Sequence, residues 1–255
     1  MRVVERPDQL ILVNQAAFAP NTERGPTSVT DSLSCLIKSA TKEWQIANKG
    51  WDMKWGHGVE DVIAPSCESI GMLPCVPGAE LQVPVPTGTR LYVHEERGKY
   101  VWAFEKDGIV GHPDGIGYDA DGWFVGEYKA TKSPVKTIWD SWQDQMTSYC
   151  AALGMNRAKL IALHLGCGRC KRKTELAAPR DIYFTDEELT AAWGRVLKGK
   201  GRIDTIRDMA RQTTPSTFPY RRFLADPVVT FSPRHKYFEC LPQFCPLRAW
   251  CPSVR

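Results

Sequence analysis

The 255-residue sequence contains no apolar run approaching the roughly 18 residues that a helix needs to cross a bilayer, so no membrane-spanning helix is expected. Its opening, MRVVERPDQLILV, has acidic residues and lacks a small-residue cleavage site, so it does not read as a secretory signal. A cytoplasmic protein is the expectation. Excess charge of one sign is also missing: 33 basic against 29 acidic residues leave a net charge of +4. That mild balance permits a nucleic-acid partner without requiring one, and makes local clustering more informative than the total. The 43% hydrophobic and 24% charged content is ordinary for a globular chain. The length suits one large domain or two small ones with a substantial core. Cysteine, by contrast, is plentiful. Nine is a high and odd count for a cytosolic chain, where structural disulfides are disfavoured. Such a count raises metal or cluster ligation, with buried free thiols as the competing reading.

The most informative stretch is residues 111–132, GHPDGIGYDADGWFVGEYKATK. Asp121-Gly122, flanked by apolar and aromatic residues, predicts a hairpin turn between two antiparallel strands. A two-residue loop there sets Asp114 opposite Lys129 and Ile116 opposite Glu127. A four-residue loop, Asp119 to Gly122, sets Asp114 opposite Glu127 and His112 opposite Lys129 instead. Either way Asp114, Glu127 and Lys129 share one face, because side chains alternate with period two; a three-residue loop without a bulge breaks that arrangement. Two carboxylates and an amine on one face suit a hard divalent cation and an activated water. An ordinary cross-strand ion pair is the competing reading. Ile116 and Val125 should share the same face, and burying two carboxylates there is costly unless a cation offsets their charge. Asp119 and Asp121 are explained by the turn itself.

Around this hairpin the pattern predicts alternating helices and strands. A helix is expected over residues 30–48, capped by Thr30 or Asp31, and a second over 55–64, ended by Pro65. Residues 65–89 read as a proline-punctuated loop, and strands follow at 89–95 and 100–104. Ser133-Pro134 marks the start of a helix over 135–153 with Ile138, Trp142, Met146, Tyr149 and Leu153 as its apolar face and Gln145 at the edge. Residues 157–165 read as a strand covered on both faces, 181–185 as a short strand, and 186–209 as a helix with a break at Gly199 to Gly201. The last 45 residues hold seven prolines and few periodic runs. An α/β fold is the best fit.

In chain order the sequence presents Gly56-x-x-x-Glu60, Asp114, Glu127-x-Lys129 and Gln145-x-x-x-Tyr149. This order, with its helix–strand–strand–helix placement, resembles the PD-(D/E)XK nuclease superfamily, and within it the RecB-like exonuclease branch. The resemblance implies a restriction-endonuclease-like core, with a central mixed sheet flanked by helices. It also implies a DNA exonuclease in which Asp114, Glu127, the backbone carbonyl of Tyr128 and Glu60 hold Mg²⁺ or Mn²⁺. Lys129 would act on the attacking water, and Gln145 and Tyr149 would position Lys129 or the DNA. Many members carry histidine where Glu60 stands; glutamate there is closer to the phage lambda exonuclease pattern.

Cys35 lies ahead of these motifs, and Cys240, Cys245 and Cys251 follow them as C-x4-C-x5-C. The set resembles the iron–sulfur staple of AddB-type and CRISPR-associated RecB-like exonucleases, and a phage-encoded protein is one of the origins the resemblance leaves open. It implies a [4Fe–4S] cluster, with zinc as the alternative for four thiolates, and a Cys-rich tail closing on the N-terminal helix. The spacing is wider than the family's usual C-x2-C, and Cys167 and Cys170 form a rival pair. Cys67, Cys75 and Cys150 read as core or loop thiols. The expected divisions are a segment 1–29 of unknown role, a nuclease core 30–210 and a tail 211–255. Basic clusters include Lys171, Arg172 and Lys173, and Arg221 with Arg222; in a nuclease some would contact DNA phosphates, although solvated loops are the usual explanation. The expected partners are DNA, single-stranded or with free ends, and proteins of recombination or CRISPR adaptation, or further copies of the chain. The setting would be a bacterial, archaeal or infected host cell. Two other functions fit the same residues: a non-catalytic DNA-end-binding adaptor and a restriction-type endonuclease.

Overall fold

The computed structural model describes residues 1–5, 64–96, 98–131, 138–164, 175–213 and 217–219. The expected helices over 30–48 and most of 55–64 lie outside them, as do the segments carrying Glu60 and the four staple cysteines. Two compact units divide the chain: Met1–Pro26 with Trp51–Ala192, and Thr27–Gly50 with Trp193–Arg255.

In the first unit, strands β1 (Arg2–Glu5), β5 (Gly115–Asp119), β6 (Gly122–Thr131), β7 (Arg157–His164), β8 (Glu175–Leu176) and β9 (Arg180–Tyr183) form a mixed sheet. The order is β1-β9-β7-β6-β5, with β8 paired to β7 off this path. β6 and β7 are parallel and the remaining pairs antiparallel. A parallel pair needs a crossover, and helix α1 (Asp140–Leu153) provides it. This is the expected mixed α/β core. The strand β1 was not legible in advance.

Helix α1 starts later than the Ser133-Pro134 signal suggests. Trp139 is extended (φ −72°, ψ 143°), so Ile138 precedes the helix and does not join its apolar face. Asp140 in the first turn favours this start through the helix dipole, and Gly154 ends the helix at φ 70°, a left-handed conformation suited to glycine. Met146, Tyr149 and Leu153 are buried as expected.

Strands β2 (Thr89–Glu96) and β3 (Lys99–Lys106) occur where expected, but with β4 (Ile109–Gly111) they form a separate three-stranded sheet. Thr89 Oγ1 donates to the Ala152 carbonyl at 2.9 Å and Lys106 Nζ to that of Ala151 at 3.1 Å, so this sheet supplies donors to the C-terminal carbonyls of α1. The stretch expected to be loop contains two 3₁₀ helices, Ala64–Ile70 and Ala79–Gln82. Cys67, Ile70 and Met72 pack with Phe124, Tyr128 and Ile161 on the central sheet.

Helix α2 (Asp186–Ala210) runs through Gly199 and Gly201 without the expected break. Each glycine costs a helix interior about 1 kcal/mol. The stripe of Ala192, Val196, Ile203, Ile206 and Ala210, all buried, offsets that cost.

Candidate active site

The β5–β6 hairpin decides where the polar groups point. Its register pairs Asp119 with Gly122, Tyr118 with Trp123 and Ile116 with Val125. The turn residues are therefore Ala120 and Asp121, rather than the Asp121-Gly122 pair, and Gly122 takes a φ of 99°. Continuing this register sets Asp114 opposite Glu127, as in the four-residue-loop alternative. The even parity is kept, so Asp114, Ile116, Val125, Glu127 and Lys129 occupy one face.

Glycines in the motif serve packing. Gly115 and Gly126 are paired across the strands. A Cβ at either would lie 1.8 or 2.3 Å from the Met72 Cε, so a larger residue there would force that methionine to shift.

On the site face, Asp114 Oδ2 accepts a hydrogen bond from the Tyr128 amide at 2.7 Å. Glu127 is fully buried, and its Oε1 is in close contact with Lys129 Nζ; the lysine side chain is 20% exposed. Lys129 Nζ also donates to Gln145 Oε1 at 3.4 Å, and Gln145 Nε2 donates to the Tyr149 hydroxyl at 3.2 Å. Tyr149 is held edge-to-face against Phe104, with ring centroids 5.8 Å apart. The ammonium of Lys129 lies 6.0 Å from the Trp142 ring centroid, and Trp142 stacks on Trp139 at 4.7 Å. Residues from β6 and α1 thus form a continuous polar chain, Glu127–Lys129–Gln145–Tyr149, reaching from a buried carboxylate through a partly exposed amine to a buried tyrosine. The Gln145 and Tyr149 spacing of four made this legible, since such residues stack on one helix face.

The opposite face carries buried charge. Strand β7 is covered on both faces as expected, and its first half also buries Arg157 and Lys159, 1% and 0% exposed. Asp119 Oδ1 takes a hydrogen bond from Arg157 Nη2, and Asp119 Oδ2 one from Lys159 Nζ at 3.0 Å. The Asp181 carboxylate lies 3.5 Å from Lys159 and 3.8 Å from Arg157. The Phe124 ring lies 4.8 Å from Lys159 Nζ and 5.0 Å from the Arg157 guanidinium carbon. Asp119 does form the expected turn, accepting the Asp121 amide at 3.0 Å, but it also anchors the hairpin to β7. Burial alone would raise its pKa; hydrogen bonds from Arg157 and Lys159 overcome this and hold the carboxyl below its ordinary value.

Burial pushes the Cys67 thiol up to about 11, that of Cys75 up to about 12 with Glu80 adding to the effect, and that of Cys150 upward as well. All three thus stay protonated at neutral pH, Cys67 and Cys150 in the core and Cys75 partly exposed. Glu60, Cys35, Cys240, Cys245, Cys251, Lys171, Arg172, Lys173, Arg221 and Arg222 lie outside the described residues; of the expected site residues inside them, Asp114, Glu127, Lys129, Gln145 and Tyr149 are brought together, and Tyr128 joins them through the hydrogen bond from its amide to Asp114.

No curated protein sequence matches the chain. Among solved structures, SSO0001 superposes with a TM-score of 0.45 at 17% identity, covering 91% of this chain and 89% of that one. The alkaline exonuclease LHK-Exo from Laribacter hongkongensis, also solved in complex with dAMP, superposes at 0.40 and 12% identity, covering 73% and 92%. The sequence itself is more decisive. A family model of the PD-(D/E)XK nuclease superfamily matches residues 79–252, a span that takes in both sheets' hairpins, α1 and the polar chain between them. Covering more than half of the sequence, this match makes the chain a member of the PD-(D/E)XK nuclease superfamily.

Proposed function

We propose that this nuclease is a divalent-metal-dependent DNA exonuclease of the RecB-like branch, acting on ends in recombination, repair or end processing. The observation that carries the reading is the Glu127–Lys129–Gln145–Tyr149 chain, with Asp114 on the same sheet face. The donor set fits a hard cation: Asp114 and Glu127 offer carboxylate oxygens, and two carboxylates, one of them fully buried, beside a single lysine are costly without a further cation. Glu60, Asp114, Glu127 and the Tyr128 carbonyl would hold Mg²⁺ or Mn²⁺. Bound there, the cation would acidify the attacking water and neutralise charge on the scissile phosphate. Lys129 orients or deprotonates that water and offsets the charge developing on the phosphate. Gln145 fixes the lysine through its carbonyl and is itself fixed by Tyr149.

The same reading includes a [4Fe–4S] cluster on Cys35, Cys240, Cys245 and Cys251, a core over 30–210 between the segment 1–29 and the tail 211–255, and a cytoplasmic setting. DNA phosphates would meet Lys171, Arg172, Lys173, Arg221 and Arg222. No helix among the described residues is long and apolar enough to cross a membrane.

The test uses end-labelled linear DNA, single- and double-stranded, beside closed circles, with Mg²⁺ or Mn²⁺. Wild type should degrade linear DNA and spare circles, whereas Glu127→Ala and Lys129→Ala should bind DNA without cutting it. Cleavage retained in both variants would remove the site. Cutting of circles would favour a restriction-type endonuclease, and wild-type binding without cleavage an adaptor. Anaerobically purified protein should be brown and Cys245→Ala colourless; a colourless, zinc-containing wild type refutes the cluster alone.

A further inference from the structure

We propose that His94, Glu96 and His112 form a second metal site on the three-stranded sheet, one that takes a borderline transition cation such as Zn²⁺ or Co²⁺. Strand alternation puts His94 and Glu96 on one face of β2. Their neighbours on β3 in the observed pairing are Val101 and Lys99, and Tyr92 faces Ala103. Carrying the Phe104–Gly111 pairing one residue further sets His112 opposite Ala103, on that same face. Ala103 is small, so the imidazoles from either side of β3 meet above it, their centroids 5.8 Å apart and their planes at 82°. One ligand atom from each of His94, Glu96 and His112 lies within 4.8 Å of the others, close enough for small side-chain rotations to bring all three onto one ion. His94 Nδ1 is buried and makes no hydrogen bond among the described residues, an arrangement that costs free energy unless something binds there.

Two imidazoles and one carboxylate form a nitrogen-rich donor set. It favours zinc, cobalt or nickel over magnesium, which prefers an all-oxygen shell. Three protein ligands leave a position open to water or another small donor. The site contains none of the nuclease residues, but His112 precedes Asp114 by two, so a bound ion would tie β2 to the segment presenting that carboxylate.

Cobalt is the probe. The full-length protein, titrated with Co²⁺, should develop visible d–d absorption that survives Glu127→Ala and is displaced by Zn²⁺. His112→Gln, a change at an exposed position, should weaken this binding by at least about tenfold, as should Glu96→Gln, with far-ultraviolet dichroism unchanged. Thiolate-to-cobalt charge transfer in the near ultraviolet reports any ion on the cysteines and should be indifferent to both substitutions. Visible absorption that persists in His112→Gln and in the His94→Gln/His112→Gln pair overturns the proposal. So does absorption that vanishes in Glu127→Ala, or cobalt bound solely through thiolates. None of these outcomes depends on DNA cleavage, so the site can fail while the nuclease reading stands.

Discussion

Lys129 and Glu127 are two residues apart on β6, and their common face follows from strand period alone. What gives the lysine a defined position is Gln145, on a different element. Gln145→Ala should lower the cleavage rate about 10- to 100-fold, the loss expected for removing a hydrogen bond to a charged group. Tyr149→Phe should lower it less, because its hydroxyl reaches Lys129 through Gln145. A rate profile against pH separates positioning from bulk stability, since a displaced lysine shifts the profile while a loosened core does not. On the other face, Asp119→Asn should destabilise the fold by about 2–3 kcal/mol, read from denaturant midpoints, because Arg157 and Lys159 stay buried with less compensation. The pH dependence has a definite sign. A carboxyl whose folded pKa is depressed below the ordinary 3.8 stabilises the protein above that value, and the contribution is lost as pH falls through the folded pKa. Wild type should therefore lose stability below about pH 4, and Asp119→Asn should flatten that loss.

At the scale of elements, one face of the hairpin is held at two places, by Met72 against its paired glycines and by the β7 cations against its turn. Gly126→Ala should cost about 1–3 kcal/mol through overpacking, and adding Met72→Ala should recover part of it in a double-mutant cycle of thermal unfolding. Helix α2 invites the reverse change. Among the described residues a Cβ at Gly201 meets nothing within 4 Å, so Gly201→Ala should stabilise the helix by about 1 kcal/mol in the same assay.

For the whole molecule, chelation is the informative perturbation. EDTA should abolish cleavage and added Mg²⁺ restore it, whereas His112→Gln should leave Mg²⁺-dependent cleavage measurable. Much of the architecture was legible because local chemistry announces it: Asp-Gly near a turn, apolar residues at helical spacing in α1, the early strands of the smaller sheet. The grouping of Asp114, Glu127, Lys129, Gln145 and Tyr149 was legible for a related reason, since strand parity and a spacing of four are local properties. The exact turn was not, because Ala120-Asp121 and Asp121-Gly122 are separated by long-range contacts: Asp119 must reach Arg157 and Lys159.

Sequence by itself thus determined the superfamily pattern, the shared face of the hairpin and the identity of the polar chain. Tertiary structure alone decided which residues make the turn, why Gly115 and Gly126 leave room for Met72, and that Arg157 and Lys159 are buried beside Asp119 and Asp181. It also decided that β2, β3 and β4 leave the central sheet and gather His94, Glu96 and His112. The physical reason is the same in each case. Periodicity assigns a residue to a face, but only the strand or helix that arrives from elsewhere in the chain determines what that face meets.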